Sequence, residues 1–171
     1  MKKKKEKPSG SGGSIATRHG NNNEDIARHL FGNLYNLETQ EVGLFVHPVI
    51  DWLGGSPDGV VSDGSLLEIK CPLTRKIEHK IPDYYYPQVQ ICMEVLDVEQ
   101  CYFVQFKPET TFSAGELDVL VVKRSKEWFN ENLPLLQKFW DDLKTYTYVP
   151  RKMNRKPKAI PECYIVDDDL I

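Results

Sequence analysis

Three side chains in this sequence have types and spacing that suit metal-assisted chemistry on a phosphate: Asp58, Glu68 and Lys70. Asp58 stands in Ser56-Pro57-Asp58-Gly59, just ahead of Val60–Val61. Glu68 and Lys70 stand in the apolar run Leu66–Lys70, and Ser62-Asp63-Gly64 separates the two runs. An Asp-Gly step between short apolar runs predicts a β-hairpin. Residues two apart on a strand share a face, so Glu68 and Lys70 point together and the hairpin carries Asp58 beside them. Ile69 points the other way, into a core, while its carbonyl stays available. Two carboxylates and a backbone carbonyl form a hard oxygen site suited to Mg²⁺ or Mn²⁺. Such an ion polarises a phosphate and helps to ionise an attacking water. The lysine adds positive charge where negative charge develops, and with a lowered pKa it could also deprotonate the water. Together these parts describe phosphodiester hydrolysis. A lone Glu-x-Lys is often only a solvated strand face. Here Leu66, Leu67 and Ile69 make the strand apolar, and charges on such a strand need partners.

The elements that must hold these residues are readable from periodicity. A first helix is expected from the caps Asn22–Asn23, with Ile26, Ala27, Leu30, Phe31 and Leu34 at helical spacing. Residues 41–50 suit a strand with an irregularity at Pro48. A loop runs from Pro72 to about Pro82, followed by a helix over 83–96 with Pro87 in its first turn. Strands follow over 100–106 and 117–122, then an amphipathic helix over 125–145. Its apolar side comprises Trp128, Phe129, Leu133, Leu136, Phe139, Trp140 and Leu143. This order predicts an α/β (α+β) domain, a central mixed β-sheet flanked by α-helices. It is expected over residues 19–150, between a basic, Gly/Ser-rich disordered tail at 1–18 and a polar extension at 151–171.

Composition narrows the classes further. The chain has 171 residues, 40% hydrophobic and 27% charged, which suits one soluble domain. No apolar run approaches the roughly 20 residues needed to cross a bilayer. The Lys-rich start is unlike a secretory signal, so an intracellular protein is expected. The net charge of -3 conceals a layout: residues 1–7 and 151–158 each carry five basic residues, and the middle is acidic. Basic runs bind phosphate backbones or stand as solvated tails. Cys71, Cys92, Cys101 and Cys163 show no zinc spacing and are expected reduced, with Cys92 and Cys101 in the core. His19, His29, His47 and His79 show no metal-like pairing and are expected to be structural.

Read as a whole, Ser56-Pro57-Asp58-Gly59 followed by Leu66-Leu67-Glu68-Ile69-Lys70-Cys71-Pro72 resembles the motif core of the PD-(D/E)xK nucleases. More narrowly it is similar to the lambda exonuclease and YqaJ-type viral recombinase branch. Glu24-Asp25-Ile26-Ala27-Arg28 resembles that branch's first-helix motif, and Tyr86-Pro87-Gln88-Val89-Gln90 resembles its Q-V-Q helix. The resemblance spans about residues 20–107. It implies a restriction-endonuclease-like core and a metal-dependent DNA exonuclease, acting 5′-to-3′ on linear duplex DNA in recombination or repair. Asp58, Glu68 and the Ile69 carbonyl would hold the metal, with Glu24 as an outer or second-metal ligand. Lys70 would position or activate the water, and Gln88 would support the water or the scissile phosphate. Each has a plainer reading too: Asp58 as a turn residue, Glu24 as a first-turn helix acid, Gln88 as an exposed first-turn residue. A sequence- or structure-specific endonuclease and a non-cleaving DNA-binding module of the same fold are the alternatives. Implied partners are linear duplex or single-stranded DNA, two further copies in a homotrimer, and a single-strand annealing protein. The branch usually carries a helical region ahead of its first motif that binds the terminal phosphate. Here about twenty mostly polar residues precede Glu24, with Arg18 and Gly20 as its faint counterparts. Tyr84–Tyr86 have the chemistry to stack on bases or to pack at a helix start. Arg75, Lys76 and Lys80 can meet phosphates or simply face solvent.

Overall fold

The computed structural model describes residues 15–146. The elements run α1 (Ile15–Tyr35), β1 (Thr39–Gln40), β2 (Phe45–Val46), β3 (Gly54–Gly55), β4 (Gly59–Val61), β5 (Leu66–Lys70), α2 (Tyr86–Leu96), β6 (Gln100–Lys107), β7 (Glu116–Lys123) and α3 (Lys126–Thr145). The basic segments at 1–7 and 151–158, Cys163 and the rest of the 151–171 extension lie outside the described residues.

Five strands form a mixed sheet in the order β1-β4-β5-β6-β7. The expected hairpin is β4–β5, with Gly59 opposite Leu67 and Val60 opposite Leu66. Gly64 closes its turn at φ +86, a conformation that favours glycine. β5 then runs parallel to β6, from Leu66 opposite Cys101 to Lys70 opposite Gln105, so the chain must cross over between them. α2 is that crossover. β6 and β7 pair antiparallel over their full length. β2 and β3 form a separate two-stranded ribbon.

The alternation of β5 sorts two cores. Leu67 and Ile69 pack with Val61, Val104 and Phe106 against Ala27 and Phe31 of α1. Leu66 packs with Cys101, Phe103 and Val122 against Val89, Cys92 and Met93 of α2. A strand covered on both faces reads as a nearly continuous apolar run, which is what Leu66–Ile69 shows apart from Glu68. α3 docks through Phe129 on Leu53 and Val95. The two glutamines of the Q-V-Q segment part company, since residues two apart on a helix face different ways. Buried Gln90 donates to the Lys123 carbonyl at 2.9 Å and accepts from Ser125 N–H at 2.7 Å, pinning α2 to the β7–α3 junction. Gln88 turns toward β5.

Three expectations are corrected. α1 begins at Ile15 rather than at Asn22–Asn23, so residues 15–18, expected in the tail, are helical. Asn23 donates its amide to the His19 carbonyl at 2.7 Å, an interior i−4 bond and not a cap. The added turns escaped apolar periodicity because Thr17, Gly20 and Asn21 line a cavity instead of packing on a core. The strand over 41–50 shrinks to Phe45–Val46. His47 Nδ1 accepts from Val49 and Ile50 N–H, both at 3.1 Å, and folds the chain into a turn there. On α3 only Phe129 is buried, and Phe139 and Leu143 are exposed. No described helix is long and apolar enough to cross a membrane.

Candidate active site

Pairing between β4 and β5 stops at Gly59 and Leu67, which leaves the outer edge of Ile69 open. Asp58 fills it: its Oδ2 accepts from Ile69 N–H at 2.6 Å. The Ile69 carbonyl lies on the same edge of the strand as its N–H, and Ile69 lines the adjoining cavity. Glu68, on the α2 face, is 1% exposed. Its Oε1 accepts from Lys70 Nζ and from Gln88 Nε2, the latter at 2.6 Å. Its Oε2 is buried with no hydrogen-bond partner among the described residues. Lys70 Nζ also lies 3.9 Å from Asp58 Oδ2 and 5.2 Å from the centre of the Tyr85 ring. Asp58, Glu68, Lys70 and Gln88 therefore converge, as the hairpin argument requires.

The charges here oppose one another. Burial first, and then the nearby Asp58 carboxylate, push Glu68 up to about 7. Burial alone would pull Lys70 down, but Glu68 and Asp58 outweigh it and hold the ammonium above its usual range. With the protein's own groups alone, the balance favours the ammonium form. Glu24 is raised by burial and then by Asp58. It lines the same cavity of about 310 Å³ as Asp58, Ile69, Lys70 and Tyr85.

The family model for the YqaJ-like viral recombinase domain matches residues 1–111. The chain belongs to that family. An uncharacterized protein of Acanthamoeba polyphaga mimivirus is 34% identical over 107 residues, 52% of this chain; the chain spans only 20% of that relative's length. Among solved structures, the alkaline exonuclease LHK-Exo of Laribacter hongkongensis is 28% identical with a TM-score of 0.68, over 77% of this chain and 70% of that one. Its complex with dAMP matches at 27% identity and TM-score 0.70, covering 79% and 71%. A phage-related exonuclease of Haemophilus somnus, 18% identical with a TM-score of 0.60 over 79% of this chain and 74% of that one, shares the fold.

The chemistry of these residues would suit a hard divalent cation: Asp58, Glu68 and the Ile69 carbonyl would be its oxygen donors, and Glu68 Oε2 has no partner among the described residues. Among the described residues, no three His, Cys, Asp or Glu side chains group as one ligand set. Glu24 accepts from Arg28 Nη2 at 2.9 Å and lines the cavity beside Asp58. Two further residues adjoin the site: Arg28, which has no assigned role in the sequence, and Tyr85, expected to stack on bases or pack at a helix start. Arg28 donates to the Asp58 carbonyl at 2.8 Å; its signal was a cation beside Ala27 on the buried side of α1. Tyr85 packs on Phe103, as a core aromatic should, but also faces Lys70. Tyr84 is exposed, and Arg75 is engaged by Gln105 Oε1 at 2.8 Å. None of the four histidines lines this cavity. Cys71 does, but burial pushes its thiol up to about 11, so it is neutral.

Proposed function

We propose that this YqaJ-like domain is a divalent-metal-dependent deoxyribonuclease that degrades linear duplex DNA from a 5′ end, in recombination or repair. The observation that carries the reading is Glu68. A buried carboxylate with an unpartnered oxygen, beside Asp58 and a protonated lysine, has no evident structural use. The likeness to an exonuclease solved with dAMP supports the substrate class. A Mg²⁺ or Mn²⁺ ion held by Asp58, Glu68 and the Ile69 carbonyl would supply Lewis acidity at the scissile phosphate.

The chain's own residues do the rest. The Ile69 N–H fixes the Asp58 carboxylate. Gln88 donates to Glu68 Oε1 and helps to set the plane of that carboxylate, whose Oε2 has no partner among the described residues. Lys70, kept charged by both acids, stabilises negative charge that builds on phosphate oxygens. Lys70 would also position or activate the attacking water. Two further parts of this reading, a homotrimer and a single-strand annealing partner, are testable by sedimentation and by co-purification.

The test incubates linear duplexes with 5′-phosphate or 5′-hydroxyl ends, alongside closed circular DNA, with Mg²⁺ or with chelator. Loss of the linear DNA alone, from its 5′ ends and only with metal, is the expected outcome. Cleavage of the closed circle would make it an endonuclease, and binding without any cleavage would make it a DNA-binding module. Activity that survives Asp58→Ala or Glu68→Ala would overturn the assigned site.

A further inference from the structure

Arg28 occupies a position that calls for an explanation beyond stability. Its guanidinium, 8% exposed as a residue, forks between two acids of the site. Nη1 donates to the backbone carbonyl of Asp58 at 2.8 Å, and Nη2 donates to Glu24 Oε1 at 2.9 Å. The approach is so close that it accounts for Gly59. A Cβ at that position would meet Arg28 Nη1 at 2.7 Å and the Gln40 carbonyl at 2.9 Å. The glycine after Asp58 is thus required by the β1 backbone and by the arginine packed behind it, while the turn glycine of the hairpin is Gly64.

We infer that Arg28 is a positioning residue that locks the Asp58 loop onto the edge of β5 and holds Glu24 back from the cation, so that Asp58 and Glu68 are the side chains that bind it directly. The planar fork is what makes this possible, because it serves two acceptors at fixed angles where an ammonium serves as a point charge. Held at its carbonyl, Asp58 keeps Oδ2 on the Ile69 N–H. Held at Oε1, Glu24 stays on the cavity wall. This inference rests on the metal-dependent reading above.

The test uses the full chain and Mn²⁺ as probe, with free Mn²⁺ followed by electron paramagnetic resonance. Arg28→Lys keeps the charge and loses the fork, and Arg28→Gln loses both. Both should fold, judged by circular dichroism and thermal midpoint without metal. Both should bind Mn²⁺ about 10–100-fold more weakly, as loss of outer-sphere partners generally does. Turnover on linear DNA should fall while KM for DNA holds, and should partly recover when Mn²⁺ is raised. Wild-type affinity in either folded variant overturns the inference. Loss of the fold in both makes Arg28 a structural brace and overturns it equally. Absence of Mn²⁺ binding by the wild-type chain instead overturns the metal-dependent reading itself.

Discussion

The domain contains two clusters in which one cation meets several acids, and they are built in opposite senses. At the junction of α2, β7 and α3, Arg124 is the deeply placed group, its side chain 5% exposed. It reaches Glu94 at 2.8 Å, Asp97 at 2.7 Å and Glu99 at 3.3 Å, and the last two acids stand in solvent. The Arg124 hydrogen bond, then its charge, hold Asp97 below its usual range. Burial works against Arg124, yet its bonds to Asp97 and Glu94 raise it. In the Lys70 cluster the acid is deepest. Glu68 has a side chain only 2% exposed, and one of its oxygens has no partner. There burial drives the carboxyl toward neutrality. The first cluster is complete with the charges it holds. The second leaves a buried carboxylate oxygen without a partner among the described residues, and that gap marks the candidate site better than any count of charged residues.

If this contrast is right, the two clusters should separate activity from stability. The largest effect should be catalytic. Lys70→Ala should lower the rate of linear-DNA degradation by about 10²–10³-fold, the range seen when one stabilising donor is lost. The fold, read by circular dichroism, should persist. A near-normal rate would show that the ammonium is only a counter-charge. Next in size is the response to metal. At a hundredfold excess over its Kd, Mn²⁺ should stabilise the wild-type chain by about 2.7 kcal/mol, and it should leave Asp58→Ala unmoved in a thermal scan. An equal shift in both would place the ion elsewhere.

The Arg124 cluster should behave in reverse. Glu94→Gln removes the acid that both Nε and Nη2 of Arg124 meet, at 2.9 and 2.8 Å. With Asp97 and Glu99 still present, the cost should be about 1.5 kcal/mol, the lower end for a bond to a charged group. The thermal midpoint should then fall by roughly 3–6 °C. Nuclease activity per folded molecule should not change. A loss of activity with no loss of stability would remove the distinction between the two clusters.

How much of this was legible follows from how local each cause is. The β4–β5 hairpin and the shared face of Glu68 and Lys70 depend on strand alternation and one Asp-Gly step, both printed in the sequence. Gln88 and Glu24 were legible only through resemblance, because nothing local links residues 24, 68 and 88. The start of α1 was illegible because its cavity-facing side is polar, so apolar spacing had nothing to record. The reach of Arg28 to a carbonyl thirty residues away is purely tertiary. So is the upward shift of Lys70. Burial in an apolar strand argues for a lowered pKa, and only the placement of two acids around the ammonium reverses it.

The smallest predicted effect is also the most discriminating. Glu68→Gln keeps the size of the side chain and an oxygen for Lys70 and Gln88 to donate to. What it removes is the charge that burial and Asp58 both oppose. At pH 8 without metal, burial and the Asp58 charge both weigh against the ionised carboxyl, and an amide is free of that cost. Part of the gain is lost again, since Lys70 gives up a charged partner. The net should be a stabilisation of about 1 kcal/mol, seen as a rise of roughly 2–4 °C in the thermal midpoint. The same variant should gain nothing from Mn²⁺ and should not degrade DNA. Glu94→Gln makes the same chemical change and should move stability the other way. If Glu68→Gln were as destabilising as Glu94→Gln, Glu68 would belong with the closed, structural kind of cluster, and its unpartnered oxygen would carry no meaning for function.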